Sequence, residues 1–171
     1  MLDRHVFIIG MPGSGKTSLG RRAARELGLP FTDTDARILA AAQCEDMQAL
    51  YDKCGEAGYR RAEHNMLVRV TREAPGIVST GGGMIIDPVN REIMRSWGLI
   101  ILIERPLEDL LGDIKLERRP NLLEKGLSEV ERLYGERMPI YHQTADIILR
   151  NNQGYHMGLY ALEKTIRDRF F

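Results

Sequence analysis

Cysteine, tryptophan and phenylalanine are scarce in this chain, at two, one and four of 171 residues, and its 24 basic and 24 acidic side chains cancel. Cys44 and Cys54 are too few and too far apart for a zinc site or a disulfide framework, so both read as free thiols. With no net charge, no global field draws in nucleic acid or a membrane surface, and any anionic ligand must be held by local groups. Apolar runs are short: Leu99-Ile100-Ile101-Leu102-Ile103 cannot span a bilayer, and Met1-Leu2-Asp3-Arg4-His5 lacks a signal-peptide pattern. The expectation is one domain over 1–171, cytoplasmic and monomeric, without a membrane or nucleic-acid partner.

Glycine, by contrast, is plentiful and placed. Gly10-Met11-Pro12-Gly13-Ser14-Gly15-Lys16-Thr17 spells G-x-x-x-x-G-K-T, after the apolar run His5-Val6-Phe7-Ile8-Ile9 and before a helical stretch from Ser18 to Leu27. A phosphate-binding loop works in that position, between a buried strand and a helix. Glycines let the backbone wrap a polyphosphate with its N–H groups inward, and the helix start adds the positive end of its dipole. Gly13, Ser14, Gly15, Lys16, Thr17 and Ser18 are therefore the candidate nucleotide contacts, with Lys16 on the β- and γ-phosphates and the Thr17 hydroxyl on Mg²⁺.

Strand-like and helix-like stretches alternate along the rest. Strands are expected over 5–10, 31–34, 77–80, 99–103 and 145–149, and helices over 16–27, 35–42, 46–53, 56–73 and 155–169. Asp87-Pro88 opens a further helix, as does Pro106 with Glu108 and Asp109. Ser128-Glu129-Val130-Glu131 reads as a capping box, and Pro139 as a kink or break near Met138. Apolar strands separated by helices predict an α/β fold with a parallel sheet covered on both faces. Ligands in such sheets lie beyond the carboxyl ends of the strands, where the phosphate loop, Asp33 to Asp35 and Gly81 to Gly83 all fall.

Each rim feature has two readings. Asp33-Thr34-Asp35, if extended, points two carboxylates to one side, one toward a hydrated Mg²⁺ and the other toward a substrate hydroxyl; alternatively it is a solvated turn with Asp as helix N-cap. Arg60 and Glu63 face the same way on a helix, either as a guanidinium fork fixed for a carboxylate or as a surface ion pair. Gly81-Gly82-Gly83 is a plain turn or a close backbone approach to a small ligand. Arg118-Arg119-Pro120 is a solvated loop or a lid that brings positive charge to a transferring phosphoryl group. Arg137, on the turn before the proline, can point into the site, and Tyr141 reads as packing. Arg61 and His64 read as solvated; His5, His142 and His156 show no partner pattern.

Taken in order, G-M-P-G-S-G-K-T, D-T-D, G-E-x-x-Y-R-x-x-E, S-T-G-G-G, R-P and R-x-P-x-Y-x-x-x-A-D resemble the shikimate kinase family over about 5–150. The resemblance implies a three-layer P-loop kinase fold, similar to nucleoside monophosphate kinases, with a five-stranded parallel sheet, an acceptor-binding helical segment near 33–63 and a lid near 112–126. It implies ATP-dependent phosphorylation of the shikimate 3-hydroxyl with Mg²⁺, in aromatic amino acid biosynthesis. Carried over by motif, Lys16, Asp35 and Arg119 are catalytic, and Arg119 also contacts the nucleotide. Thr17 and Asp33 hold the metal. Asp35, Arg60, Glu63, Gly81, Gly82, Gly83 and Arg137 bind shikimate. The pattern is not matched throughout: Gly112 stands where an adenine-stacking arginine is usual, Asn121 follows the lid R-P in place of leucine, and Tyr51 and Tyr59 replace phenylalanines near the substrate. A kinase of the same fold for another hydroxylated acid, such as gluconate, and a nucleotide-binding regulator without catalysis are the other readings.

Overall fold

Successive residues of the first strand, β1 (His5–Ile9), serve two different cores. Phe7 and Ile9 join one buried cluster and Val6 and Ile8 another, because side chains along a strand alternate between faces. β4 (Gly98–Glu104) does the same: Ile100 and Leu102 go to the first cluster, Leu99, Ile101 and Ile103 to the second. A strand apolar on both sides must be covered on both sides, and the computed structural model shows that three-layer arrangement. It describes residues 2–116 and 123–171.

The remaining strands are β2 (Phe31–Asp33), β3 (Ile77–Ser79) and β5 (Ile147–Arg150), and every pairing is parallel in the order β2-β3-β1-β4-β5. The chain switches direction at β1, with β3 on one side and β4 on the other. A crevice opens beyond the carboxyl end of β1, where the phosphate loop begins. On one face lie α1 (Lys16–Leu27) and α7 (Tyr155–Phe170), through Leu19, Ala23, Leu162 and Ile166. On the other lie α2 (Thr34–Ala42), α3 (Met47–Val70), α4 (Pro88–Trp97), α5 (Leu107–Leu116) and α6 (Leu123–Thr144). Among the described residues no helix is long and apolar enough to cross a membrane.

Local signals set several boundaries as expected. Asp87 caps α4 by accepting the Val89 N–H at 2.8 Å, with Pro88 in the first turn. The two helices expected over 46–53 and 56–73 are the two halves of α3, separated where Gly55 adopts the non-helical φ 65° and ψ 178°, and the second ends at Val70. That positive φ suits glycine.

Other expectations need correction. Asp33-Thr34-Asp35 is not an extended stretch: the strand ends at Asp33 and Thr34 opens α2. The Ser128 capping box lies inside α6, which starts at Leu123, because Leu123, Glu124 and Lys125 are themselves strong helix formers. α6 also runs through Pro139 without a break. The carbonyl that loses its amide partner belongs to Gly135, which is exposed to solvent. Of the segment 112–126 expected as a lid, 112–116 belongs to α5 and 123–126 to α6; Arg119, with Arg118, Pro120 and Asn121, lies outside the described residues. His64, read as solvated, bonds buried Asn90 at 2.9 Å, and His142 bonds Glu104 at 2.8 Å.

His5 is buried at the start of β1 and accepts the Gly76 N–H at Nδ1. Burial holds its pKa below the ordinary histidine value. The unfolded chain therefore takes up this proton more readily than the fold, so stability is complete above the ordinary histidine pKa and falls as pH drops through it. His5→Asn keeps the acceptor and removes the titration. Its urea midpoint is expected to change less than that of the wild type between about pH 7.5 and 5.5; equal slopes would rule out the histidine as a source.

Candidate active site

Gly15 caps α1 with φ 97°, which starts the helix directly behind the phosphate loop. Lys16 is buried, and its Nζ donates to the Met11 carbonyl at 2.8 Å, folded back over the loop. Burial lowers its pKa to about 8, against the pull of the Asp35 and Asp33 carboxylates and with the push of Arg137. One buried ammonium thus feels residues from the ends of β2 and α6. The Thr17 hydroxyl donates to Asp33 Oδ2 at 2.8 Å and lies 3.1 Å from the Ser79 hydroxyl. Asp33 Oδ1 meanwhile accepts the Ala36 N–H at 3.1 Å, so this carboxylate caps α2 as well. The three neighbouring oxygens of Thr17, Asp33 and Ser79 are the hard donors Mg²⁺ takes. Among the described residues no three His, Cys, Asp or Glu side chains form an all-protein metal cage.

Across the crevice, three glycines meet three charged side chains. A Cβ on Gly81 would lie 2.4 Å from Asp35 Oδ1, one on Gly82 3.3 Å from an Arg137 nitrogen, and one on Gly83 2.1 Å from an Arg60 nitrogen. The glycine run therefore packs closely against protein groups, Gly82 lying nearer to Pro12 than to Arg137, which neither sequence reading anticipated. It brings Asp35, Arg60 and Arg137 to one strip. Arg60 is fixed by Glu63, which is 1% exposed and takes one guanidinium nitrogen at 2.7 Å; Glu56 takes another at 3.5 Å. The pair is not a surface ion pair. Burial pushes the Asp35 and Glu63 carboxyls above their usual range, Asp33 adding to the shift at Asp35. Asp35 Oδ1, Glu63 Oε1 and Arg137 Nε are buried without hydrogen-bond partners. Polar atoms in that condition cost stability unless something polar arrives to meet them.

Several site residues lay beyond sequence reasoning. Tyr141, read as packing, is completely buried, and its hydroxyl proton is shared between the Gly10 carbonyl at 2.9 Å and the Gly82 carbonyl at 2.6 Å. Asn151 donates to the Ser14 carbonyl at 2.9 Å, and Arg105 to the Gly13 carbonyl at 3.1 Å. Ser79 stands beside the Thr17 hydroxyl. These contacts join segments far apart in the chain, so no local pattern marks them. A cavity of about 460 Å³ extends from Gly13 and Gly15 to Arg105, Asn151 and Tyr155, and one of about 590 Å³ lies over Lys16, Thr17 and Arg21. Ser14 has no exposed surface, so its side chain lies beneath the loop.

A phosphate loop at the switch point of a parallel sheet, facing carboxylates and guanidinium groups, defines a P-loop α/β protein of the small-molecule kinase class. The family model for shikimate kinase matches residues 12–164. Shikimate kinases from Aromatoleum aromaticum and Clostridium beijerinckii are 33% and 36% identical to this chain, covering 95% and 98% of it and 94% and 97% of their own lengths. The structure of shikimate kinase from Acinetobacter baumannii in complex with shikimate matches with a TM-score of 0.84 at 28% identity, over 97% of this chain and 94% of that one. That of shikimate kinase from Bacteroides thetaiotaomicron matches with a TM-score of 0.84 at 27% identity, over 96% and 98%. The chain belongs to the shikimate kinase family.

Burial raises the Tyr141 phenol to about 12, so it stays a donor across the working pH range. Tyr141→Phe keeps the ring and strands two carbonyls. The expected loss is about 1–3 kcal/mol of unfolding free energy in urea titration; an unchanged midpoint would show that water replaces the hydroxyl without penalty.

Proposed function

We propose that this chain transfers the γ-phosphoryl group of ATP to the 3-hydroxyl of shikimate, giving shikimate 3-phosphate and ADP for aromatic amino acid biosynthesis. The observation that carries this reading is the meeting of Asp35, Arg60 and Arg137 on the Gly81–Gly83 strip, opposite Lys16. Two guanidinium groups suit a carboxylate, and a carboxylate beside them suits a hydroxyl. Shikimate carries both groups on one ring. The A. baumannii relative is described in complex with that molecule.

Phosphoryl transfer has a loose transition state, so positioning and charge stabilisation dominate. Lys16 leaves the Met11 carbonyl to neutralise β- and γ-phosphate oxygens, and the loop amides of Gly13 to Ser18 cradle the rest. Thr17 and Asp33 would hold Mg²⁺, which screens phosphate charge. Arg60, steadied by Glu63, and Arg137 grip the acceptor's carboxylate, while the backbone of Gly81 to Gly83 lets the ring approach closely. Asp35 holds the reacting hydroxyl in line. Arg119 is the lid arginine of this reading. The protein acts as a cytoplasmic monomer, with no nucleic-acid or membrane partner.

A coupled ADP-release assay tests the reading: turnover is expected with shikimate and not with gluconate, and folded protein that binds ATP yet ignores shikimate would reject it. Asp35→Asn is expected to keep nucleotide binding and to lower kcat by about 10²–10⁴. The same variant should melt higher at neutral pH, because it removes a carboxylate that burial and Asp33 penalise. Arg137→Lys removes the planar fork and should raise the shikimate KM about tenfold or more, with the ATP KM little changed; matched increases in both would place Arg137 on the nucleotide instead.

A further inference from the structure

We propose that Tyr141 is a positioning residue of the transfer reaction, its one hydroxyl proton fixing the spacing between the phosphate loop and the Gly81–Gly83 strip. This rests on the reading of the chain as a shikimate kinase. β1 and β3 are neighbours in the sheet, and their parallel pairing runs to Ile8 and Ser79. One more bond, from the Thr80 N–H to the Ile8 carbonyl at 3.1 Å, closes the ladder. Beyond it the two segments part: one becomes Gly10-Met11-Pro12, the other Gly81-Gly82-Gly83. Among the described residues no backbone hydrogen bond joins them after that point. The Tyr141 hydroxyl joins them instead, at 2.9 Å from the Gly10 carbonyl and 2.6 Å from the Gly82 carbonyl. A second contact lies beside it: a Cβ on Gly82 would be 3.0 Å from Pro12 Cδ, so strip and loop also touch directly.

The hydroxyl hangs from a fixed point. The Tyr141 carbonyl accepts the Ala145 N–H at 2.9 Å, the Asp146 N–H donates to the Ile100 carbonyl at 2.9 Å, and Asp146 Oδ2 accepts the Ile100 N–H at 2.8 Å. The end of α6 is thereby pinned to the middle of β4. The root of the loop is backed by the same strand, since a Cβ on Gly10 would lie 2.5 Å from the Ile103 carbonyl oxygen. Arg137, one turn earlier on α6, lies 3.3 Å from a Cβ on Gly82, yet among the described residues only the Tyr141 hydroxyl donates to both carbonyls. The groups that act in transfer sit one residue from this clamp on each side. Met11, next to Gly10, takes the Lys16 ammonium at 2.8 Å, and Gly83, next to Gly82, packs on the Arg60 guanidinium. A change in the clamp moves the phosphoryl donor relative to the acceptor hydroxyl and leaves each half-site whole. Positioning supplies much of the rate in phosphoryl transfer, and a misplacement of about 1 Å costs about 10²-fold.

Tyr141→Phe keeps the buried ring and removes the proton. At a temperature where the variant is fully folded, kcat is expected to fall about 10- to 100-fold, with the ATP and shikimate KM values each within about threefold of wild type. A hydroxyl that only stabilises the fold would lower the melting temperature and leave kcat per folded molecule within about twofold, and that result overturns the proposal. A rise in one KM with kcat unchanged overturns it too, because it places the hydroxyl in one half-site alone. A second measurement needs neither the acceptor nor the variant. The Gly83 amide shares its peptide group with the Gly82 carbonyl, so ADP with Mg²⁺, bound alone to wild-type protein, is expected to shift the Gly83 amide resonance although ADP lacks the transferred phosphoryl group. An unshifted Gly83 amide overturns the clamp, and so does a shift that is undiminished in Tyr141→Phe. A wild-type protein that binds nucleotide but turns over no shikimate overturns the activity reading instead, and the ADP-induced shift still decides whether the clamp joins loop and strip.

Discussion

Three missing side chains govern the acceptor half of this molecule. At Gly81 and Gly83 an added Cβ would crowd Asp35 and Arg60, and at Gly82 it would crowd Pro12 first and then Arg137. The strip is positioned from outside itself. The Gly81 N–H donates to the buried Thr34 hydroxyl at 3.0 Å, and the Gly82 carbonyl takes the Tyr141 proton. Charged groups that differ in sign and come from three different helices thereby share one small volume. Their proximity gives the cleft its chemistry, and it also explains why the cleft strains the fold.

That strain is visible in three groups of the rim. Burial raises Asp35 and Glu63 and lowers Lys16, so each of these three is pushed toward its neutral form. The groups compensate one another only in part, as the unpartnered oxygens of Asp35 and Glu63 and the unpartnered Arg137 Nε record. A molecule selected for stability alone would bury hydrophobic groups here. A molecule that must meet an anionic, hydroxylated ligand gains from leaving those atoms unmet until the ligand supplies partners, because preorganised polar groups need little rearrangement at the moment of reaction. The cost is borne by two cores separated by the sheet, where Phe7, Ile8, Ile9, Ile100 and Ile101 have no exposed surface.

What could be read from sequence divides along chain distance. The phosphate loop, the Asp87-Pro88 start and the bend near Gly55 are written in adjacent residues, since glycine and proline change backbone preference on the spot. The sheet was legible because strands such as Leu99 to Ile103 are apolar on both faces. The capping role of Asp33 was legible: one of its oxygens accepts the Ala36 N–H, while the other accepts the Thr17 hydroxyl. Ser128 misled because a capping box acts only where a helix begins, and helix-forming residues before it extend α6. Ser79, Arg105, Asn151 and Tyr141 carried no local mark, because their partners at Thr17, Gly13, Ser14 and Gly10 are brought to them by the fold.

Tyr141 and Arg137 are one turn apart on α6, and this joins the two halves of the site. Tyr141 bonds Gly10 at the root of the phosphate loop and Gly82 in the acceptor strip, while Arg137 contacts that strip and lowers the proton affinity of Lys16. The helix that carries them passes through Pro139 intact, so the turn bearing Arg137 is rigidly tied to the turn bearing Tyr141. α6 also carries 123–126, the last part of the segment 112–126 read as the lid.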